Sequence, residues 1–538
     1  MNSPSTERDV GGSYAMDARA LVLAVALLMS AALRVSSTTV EEAFATCYSP
    51  SCTTCSYGSN CGSLTILGTT LYGTIPANIS QNLPNIKELS FRYVGGISGD
   101  ARLSGTLPTE LGLLTALTSL RFQGNPKIIG SLPTELGQIT GLTNLDFEDN
   151  SLTGTLPAEP NLLASITRLR FKGNKMANNF LGNLLMFSQL ESLLISEASV
   201  ARAALSNTIP VSSSLTHLEM SHSNLYGTIP AALFALTRLE TLKLQGNDLS
   251  GSVPSAIGDL TSLSTLDLGD PTTSGMLVGL PPDVGLLSNL ATLRLGGVDL
   301  SAGLPAELGS LSMLRELHLS GSLLPNLPEE FSNLSGLTYL DLSGSLISEL
   351  PEEFANLSGL THLSLAHNRL SQFPLNSSSA QLSRMSALVS LYLNDNQMQS
   401  PIPTEIGMLR DLSRLDLGNN QLSGTIPSEM ADMSSLRFLD FTHNKLTGTI
   451  PSIFGLLPLL TSLHLDHNHF CGVSNTLPAA VTSSVNDITF EPGNRFGNEC
   501  PLSWECCSTL HNIPTFCCLS SKLGLDDDHM WKLCRNSC

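Results

Sequence analysis

Residues 419–430 read NNQLSGTIPSEM, and residues 443–454 repeat them as HNKLTGTIPSIF. Earlier versions are SNLYGTIPAAL at 223–233, GNDLSGSVPSAI at 246–257 and DNSLTGTLPAEP at 149–160. Pro403, Pro427 and Pro451 stand 24 residues apart, and the same Ile/Leu-Pro step recurs at Pro76, Pro108, Pro133, Pro157, Pro210, Pro230 and Pro254. Between these prolines runs a second phrase, L-x-x-L-x-L-x-x-N. It reads LTSLRFQGN from Leu117, LETLKLQGN from Leu239, LSRLDLGNN from Leu412 and LTSLHLDHN from Leu460.

Each part of the phrase has a mechanical reading. The alternation in L-x-L turns leucines to one face and the intervening residues to the other, which predicts a short strand. The asparagine closes the strand, where its amide can bond backbone groups left unpaired in a turn. Proline, having no N–H, fits an edge or irregular turn. A single repeat cannot bury its own leucines, so repeats must stack into one quasi-one-dimensional body. From Ile86 onward about sixteen such strands follow. This is the leucine-rich repeat signature, and it predicts an α/β repeat solenoid with a parallel sheet on its concave side. Two places break the rhythm. Pro157 and Pro210 stand 53 residues apart, and within residues 176–213 the one strand that keeps the pattern is LESLLIS, from Leu190. The asparagine place is taken by Pro271, Val298, Ser322 and Ser345, which predicts a looser ladder there.

The chain has 538 residues, 42% hydrophobic and only 5% aromatic, so leucine is expected to carry the core. A formal charge of −19 argues against nucleic acid, whose phosphates ask for a basic stripe. Residues 20–33, ALVLAVALLMSAAL, are apolar but short for a membrane span. With Arg19 before them and the small residues Ala43 and Ala45 after, they read as a secretory signal peptide cut after Ala45; an uncleaved signal anchor is the alternative. No later stretch is long and apolar enough to span a bilayer.

The twelve cysteines sit only at the two ends. Cys47, Cys52, Cys55 and Cys61 precede the repeats, and Cys471, Cys500, Cys506, Cys507, Cys517, Cys518, Cys534 and Cys538 follow. In an exported chain they read as disulfides capping the stack; CTTC at 52–55 leaves a zinc alternative. The sequons at Asn78, Asn333, Asn356 and Asn376 are glycosylation candidates. The expected order is a signal peptide at 1–45, a cysteine-rich cap at 46–70, the solenoid at 71–470 and a second cysteine-rich cap and tail at 471–538.

The phrases LSGTIP, LTGTIP and LYGTIP resemble the plant-type extracellular leucine-rich repeat family, over about residues 71–472. Its members include receptor-kinase and receptor-like ectodomains and polygalacturonase-inhibiting proteins. The resemblance implies a right-handed superhelix with a second, smaller sheet near the Ile-Pro step. HFCG at 469–472 with Cys500 downstream is similar to that family's C-terminal cap, implying a Cys471–Cys500 pair. LPEEFSNLSGL at 327 and LPEEFANLSGL at 350 resemble a shorter, 23-residue repeat class. No kinase segment or C-terminal membrane helix is read after the caps.

The sequence holds no H-E-x-x-H, G-x-x-x-x-G-K or G-x-S-x-G phrase, and nothing that assembles a nucleophile and base, so no enzyme is expected. No cofactor or metal is expected either. His443, His464, His467 and His469 crowd the last repeats and read as solvated, with a metal or pH-sensing group as the alternative; Asp526, Asp527 and Asp528 read as an exposed acidic run. Two patches on the concave face stand out. Arg168, Arg170 and Lys172 alternate; the arginine pair resembles the Arg-x-Arg with which some plant peptide-hormone receptors hold a terminal carboxylate. Asp146 and Glu148, one repeat earlier, offer the alternative of ordinary ion pairing. The second patch is Tyr339, His362, Tyr392, Arg414, Phe438 and His464, with Asp341, Asp416, Asp440 and Asp466 among them. Exposed aromatics with arginine are the composition of binding hot spots. The expected protein is a secreted, monomeric, non-catalytic recognition module for a protein, peptide or wall polysaccharide. A hydrolase inhibitor and a structural wall component are the alternatives.

Overall fold

The computed structural model describes residues 38–39, 62–68, 71–93, 103–156, 165–177, 187–197, 203–205, 212, 214–269, 276–374, 379–472, 481, 485–490 and 493–496. They fall in two compact units, residues 1–201 and 202–538. Each is a stack of the repeat read above.

In the first unit six strands pair in parallel, in chain order: Ser63–Gly68, Glu88–Tyr93, Ser119–Gln123, Asn144–Asp146, Arg168–Arg170 and Ser192–Leu194. In the second unit the parallel sheet runs from His217–Glu219 to Asp487–Thr489. Leucine faces leucine across the junctions, as in Leu391↔Leu415↔Leu439↔Leu463, until the last, where Leu463 faces Ile488. The sixteen strands expected from Ile86 onward are all present. Two more flank them: Ser63–Gly68, within the residues expected to form the N-terminal cap, and Asp487–Thr489, beyond the last leucine phrase.

After most of the proline steps the chain makes one 3-10 turn; after Pro76 it makes a four-residue α-helix, Ile79–Asn82. Pro108, Pro133, Pro230, Pro254, Pro305, Pro403, Pro427 and Pro451 all stand just before the first residue of such a turn. The missing N–H is no loss at that place, and the carbonyl is used: Pro403 O accepts from Ile406 N at 3.2 Å. Near the same step lie the small sheets implied by the family resemblance. One joins Ser104–Gly105, Lys127–Gly130, Ser151–Gly154 and Lys175–Met176; another joins Ala203–Ala204, Leu225–Gly227, Asp248–Ser252 and Met276–Val278. Among the described residues no strand of this kind accompanies the shorter repeats around Pro328 and Pro351.

The asparagines are buried and bond in two directions. Asn420 Nδ2 donates to Leu417 O in its own repeat and to Leu393 O in the previous one, and its Oδ1 accepts from Met398 N of the previous repeat. Asn150, Asn174, Asn247, Asn368, Asn396, Asn444 and Asn468 donate in the same two directions. Asn494 adds a rung, donating to Leu465 O at 2.8 Å. Where asparagine is lost the ladder thins as expected. Ser322 still donates to Leu295 O and Leu319 O, but its backbone carbonyl, not a side chain, receives Leu300 N. Ser345 keeps one long bond, to Leu319 O at 3.4 Å, and Val298 is simply buried.

The residue before each rung is left-handed. Gly124, Gly173 and Gly246 hold positive φ there, and so do Asp149, His367, Asp395, Asn419, His443 and His467, with φ near 55°. Glycine reaches this region without strain, and Asn, Asp and His are the side chains that tolerate it best. That explains the recurring GN, DN, HN and NN pairs.

Leucine does not carry the core alone. In the first unit Phe91, Phe122, Phe147 and Phe171 are fully buried and overlie one another at 5.0, 5.7 and 5.6 Å between ring centroids. They occupy the last apolar place of successive L-x-L phrases, so low aromatic content conceals an aromatic spine.

Thr38–Thr39 pairs in parallel with Leu71–Tyr72, upstream of the expected cleavage after Ala45. The apolar run at 20–33, the cysteines other than Cys471, Asn376 and the Asp526–Asp528 run lie outside the described residues. Asn78, Asn333 and Asn356 are exposed.

The ladder yields a stability test. Asn420→Ala strands the N–H of Met398 and removes one of the two asparagine donors to each of Leu393 O and Leu417 O, and should cost about 2 kcal/mol or more. Ser322→Ala removes only two donations from one hydroxyl and should cost about 1 kcal/mol. Urea midpoints measure both, and an equal loss would deny the asparagines their bridging role.

Candidate functional site

Burial along these strands alternates half-exposed, buried, half-exposed, with Ser390 the buried exception, so the residues flanking each strand leucine stand on the solvent side of the sheet. The register sorts them into columns. Tyr339, His362, Ser390, Arg414, Phe438 and Ser462 form one; His318, Asp341, Ser364, Tyr392, Asp416, Asp440 and His464 form the other.

The sequence-predicted patch of Tyr339, His362, Tyr392, Arg414, Phe438 and His464 does share this face, but as two stacks. In the first, Tyr339 lies between His318 at 4.5 Å and His362 at 5.7 Å. In the second, the Arg414 guanidinium sits 5.5 Å from the Tyr392 ring centre and 3.7 Å from that of Phe438, and His464 follows Phe438 at 5.3 Å. Ser364 and Ser390 separate the two. Rings in such a row turn their faces to one another and their edges to solvent.

His318 was missed by sequence reasoning, although LRELHLS places it where LVSLYLN places Tyr392. Burial, then the charge of Arg294, hold its pKa below the ordinary 6.5; Asp341 and Glu316 pull the other way. Arg294 is bonded to Glu316 at 2.9 Å, and Glu316 is 3.8 Å from His318 Nε2. Burial and the neighbouring Asp341 charge raise the Tyr339 pKa.

The Arg168–Arg170 patch is satisfied from within only in part, and Arg170 Nε is buried without a hydrogen-bond partner. Arg170 lies 4.0 Å from Glu148, the pairing foreseen, but Lys172 turns to the following repeat and meets Glu197 at 3.1 Å. Asp146 instead accepts from Gln123 Nε2 at 2.7 Å. Burial raises the pKa of both Asp146 and Glu148. Arg168 is exposed.

The terminal histidines disperse. His443 and His467 stack at 4.0 Å in their left-handed turns, His464 faces Asp487 at 3.5 Å, and His469 lies on a small outer strand. Among the described residues no three His, Cys, Asp or Glu side chains are grouped to hold a metal, and no helix is long and apolar enough to cross a membrane.

Comparison with the curated proteins finds no match. Leucine-rich repeat family models match residues 238–260, 312–370 and 410–470. Among solved structures, a leucine-rich repeat protein of Leptospira interrogans is 29% identical with a TM-score of 0.59, covering 68% of this chain and 88% of its own. PEPR1, solved with AtPEP1, is 25% identical with a TM-score of 0.54, covering 84% and 72%. The ectodomain of the Arabidopsis receptor kinase HAESA, solved with an N-terminally extended IDA peptide hormone ligand, is 24% identical with a TM-score of 0.60, covering 80% and 82%. The likeness to HAESA establishes the fold alone. The family models and the solved neighbours agree on leucine-rich repeats and on the solenoid fold.

The cause assigned to the His318 shift can be checked. Arg294→Gln removes the repelling cation and frees Glu316, so the titration midpoint should rise toward 6.5 in NMR of the ring protons. Because a lowered histidine pKa favours the neutral folded form, stability should fall as pH drops below 6.5, and less so in the variant.

Proposed function

We propose that this leucine-rich repeat solenoid is a secreted, non-catalytic recognition protein. It binds a protein or peptide on the sheet face of its second unit, at Tyr339, His362, Tyr392, Arg414, Phe438 and His464. One observation carries the reading: two rows of stacked aromatic, histidine and arginine side chains on a half-exposed face, apart from the leucine core. Large side chains already ordered by stacking lose little entropy on binding. The PEPR1 neighbour, solved as a complex, is a precedent for a partner on this fold.

The same stacking disfavours a wall polysaccharide, because sugar rings pack on aromatic faces and these faces are turned to their neighbours. Export rests on the expected signal peptide, the cysteine-rich ends and the exposed sequon asparagines. Catalysis has no constellation to act through among the described residues.

The test is capture from extracellular fluid with the purified chain, followed by variants. Phe438→Ala or Tyr392→Ala should weaken binding of the captured partner by about 2 kcal/mol, roughly thirtyfold. Glu429→Ala, on the outer 3-10 turn, should change it by less than about 0.5 kcal/mol. Unchanged affinity with alanine at Tyr339, Tyr392, Arg414 and Phe438 together would remove the site from this face. Inhibition of a secreted hydrolase by the wild-type chain would instead identify an inhibitor. N-terminal sequencing of the exported chain should begin at Thr46; a start before Thr38 would keep the strand paired with Leu71–Tyr72 and move the cleavage site.

A further inference from the structure

We propose that the sheet face from Tyr392 to Asp487 docks an extended basic peptide, one lysine or arginine of which enters over Gly418 between Asp416 and Asp440. The inference rests on the binding face proposed above and names the chemistry of its partner.

Asp416 and Asp440 stand directly opposite each other on adjacent strands. Like charges so placed repel. Each has one oxygen engaged locally, Asp416 Oδ1 by Gly418 N at 3.1 Å and Asp440 Oδ1 by Thr442 N at 2.7 Å. No described residue forms an ion pair with either carboxylate. The nearby cation, Arg414, is committed to the Phe438 ring at 3.7 Å. Burial, then the charges of Asp440 and Asp395, raise the Asp416 pKa against the opposing pull of the Gly418 N–H and Arg414. At neutral pH the folded protein therefore holds an unfavourable pair of charges that a positive group would relieve.

The strands from Arg414 onward add Asp466 and Asp487 on the same face, while among the described residues Arg414 is the one fixed positive charge at their outward positions, with Arg437 exposed beside Phe438. Charge complementarity thus asks for a basic partner.

Space is provided at the same point. The outward place after Asp416 is Gly418, whereas the places beside it carry Asn394 and Thr442. A methyl group added at Gly418 would lie 3.0 Å from Thr442 Oγ1, 3.3 Å from Asp440 Oδ1 and 3.4 Å from Asp416 Oδ1. Glycine therefore leaves a recess walled by both carboxylates. The Tyr392–Arg414–Phe438–His464 row borders it, offering ring edges to the aliphatic stem of a lysine or arginine. From Tyr392 to Asp487 the strands span about 19 Å at ~4.8 Å each, room for about six extended residues.

The probes are end-capped, fluorescein-labelled octapeptides alternating glycine with lysine, glutamate or serine, read by anisotropy at low and at physiological salt. The lysine peptide should bind more tightly than the serine peptide, and the glutamate peptide should not bind. Asp416→Asn with Asp440→Asn should weaken lysine-peptide binding about tenfold or more. Glu405→Gln with Glu429→Gln removes the same charge from the outer turns and should weaken it less than about twofold. Gly418→Ala keeps every charge and should also weaken it. Asn retains the oxygen that Gly418 N needs, so Asp416→Asn should melt no lower than the parent while binding worse, which a purely structural aspartate would not do. Equal losses in the two double variants, or equal binding of the lysine and serine peptides, overturns the proposal. If Phe438→Ala still abolishes capture of the natural partner, the recognition face survives and only its basic ligand is withdrawn. If both fail, the face itself is wrong.

Discussion

The buried side-chain amide bridging one repeat to the next is the interaction on which the rest of this protein depends. Asn420 meets backbone groups of two repeats at once, donating to Leu393 O and Leu417 O and accepting from Met398 N, whose N–H would otherwise be stranded inside the turn. An unpaired buried polar group costs more than a hydrogen bond returns, so the turn is viable only where such a side chain reaches it. Because one donation and the acceptance cross to the preceding repeat, satisfying the turn also sets the stacking register. The left-handed residue before each rung follows from the same geometry, since it aims the amide inward.

A fixed register makes columns, and columns make the surface. Leucine on leucine builds the core, while the residues beside each leucine are brought to one strand spacing from their counterparts. At that distance rings stack, arginine lies on rings, and aspartate faces aspartate. The first two contacts are favourable and organise Tyr339, Arg414 and Phe438 without help from the core. The third is not, and the Asp416–Asp440 pair persists because the ladder and the leucines hold the strands in place whatever the surface charges prefer. Local strain of this kind is carried by the stability of the whole stack, as is common at functional surfaces.

The two sheet faces differ in how far they answer their own charges. In the first unit Arg170 and Lys172 find Glu148 and Glu197, and Asp146 finds Gln123. In the second, the carboxylates from Asp416 onward outnumber the cations within reach, and the arginine among them is taken up by aromatic rings. On the second face two carboxylates stand opposite each other with no ion pair from any described residue, which gives it a reason to bind. The acidic, aromatic face is therefore the better candidate, although the arginine pair was the more familiar phrase in the sequence.

Much of this was determined by sequence alone. Period-two leucines stated which side of each strand is buried, the spacing of the phrase stated how many strands follow Ile86, and the asparagine announced a turn, though not its left-handed residue. Even the thinning of the ladder at Val298, Ser322 and Ser345 could be read, because the number of hydrogen bonds a side chain can make belongs to its chemistry. The tertiary structure decided the choices among neighbours. Lys172 could turn back to Glu148 or forward to Glu197; Arg414 could pair with Asp416 or lie on Phe438; His318 joined Tyr339 across a repeat boundary. Alternation assigns a side chain to a face but not to one of the two strands beside it. That choice is made by side-chain torsions and local burial, which exist only once the repeats have stacked.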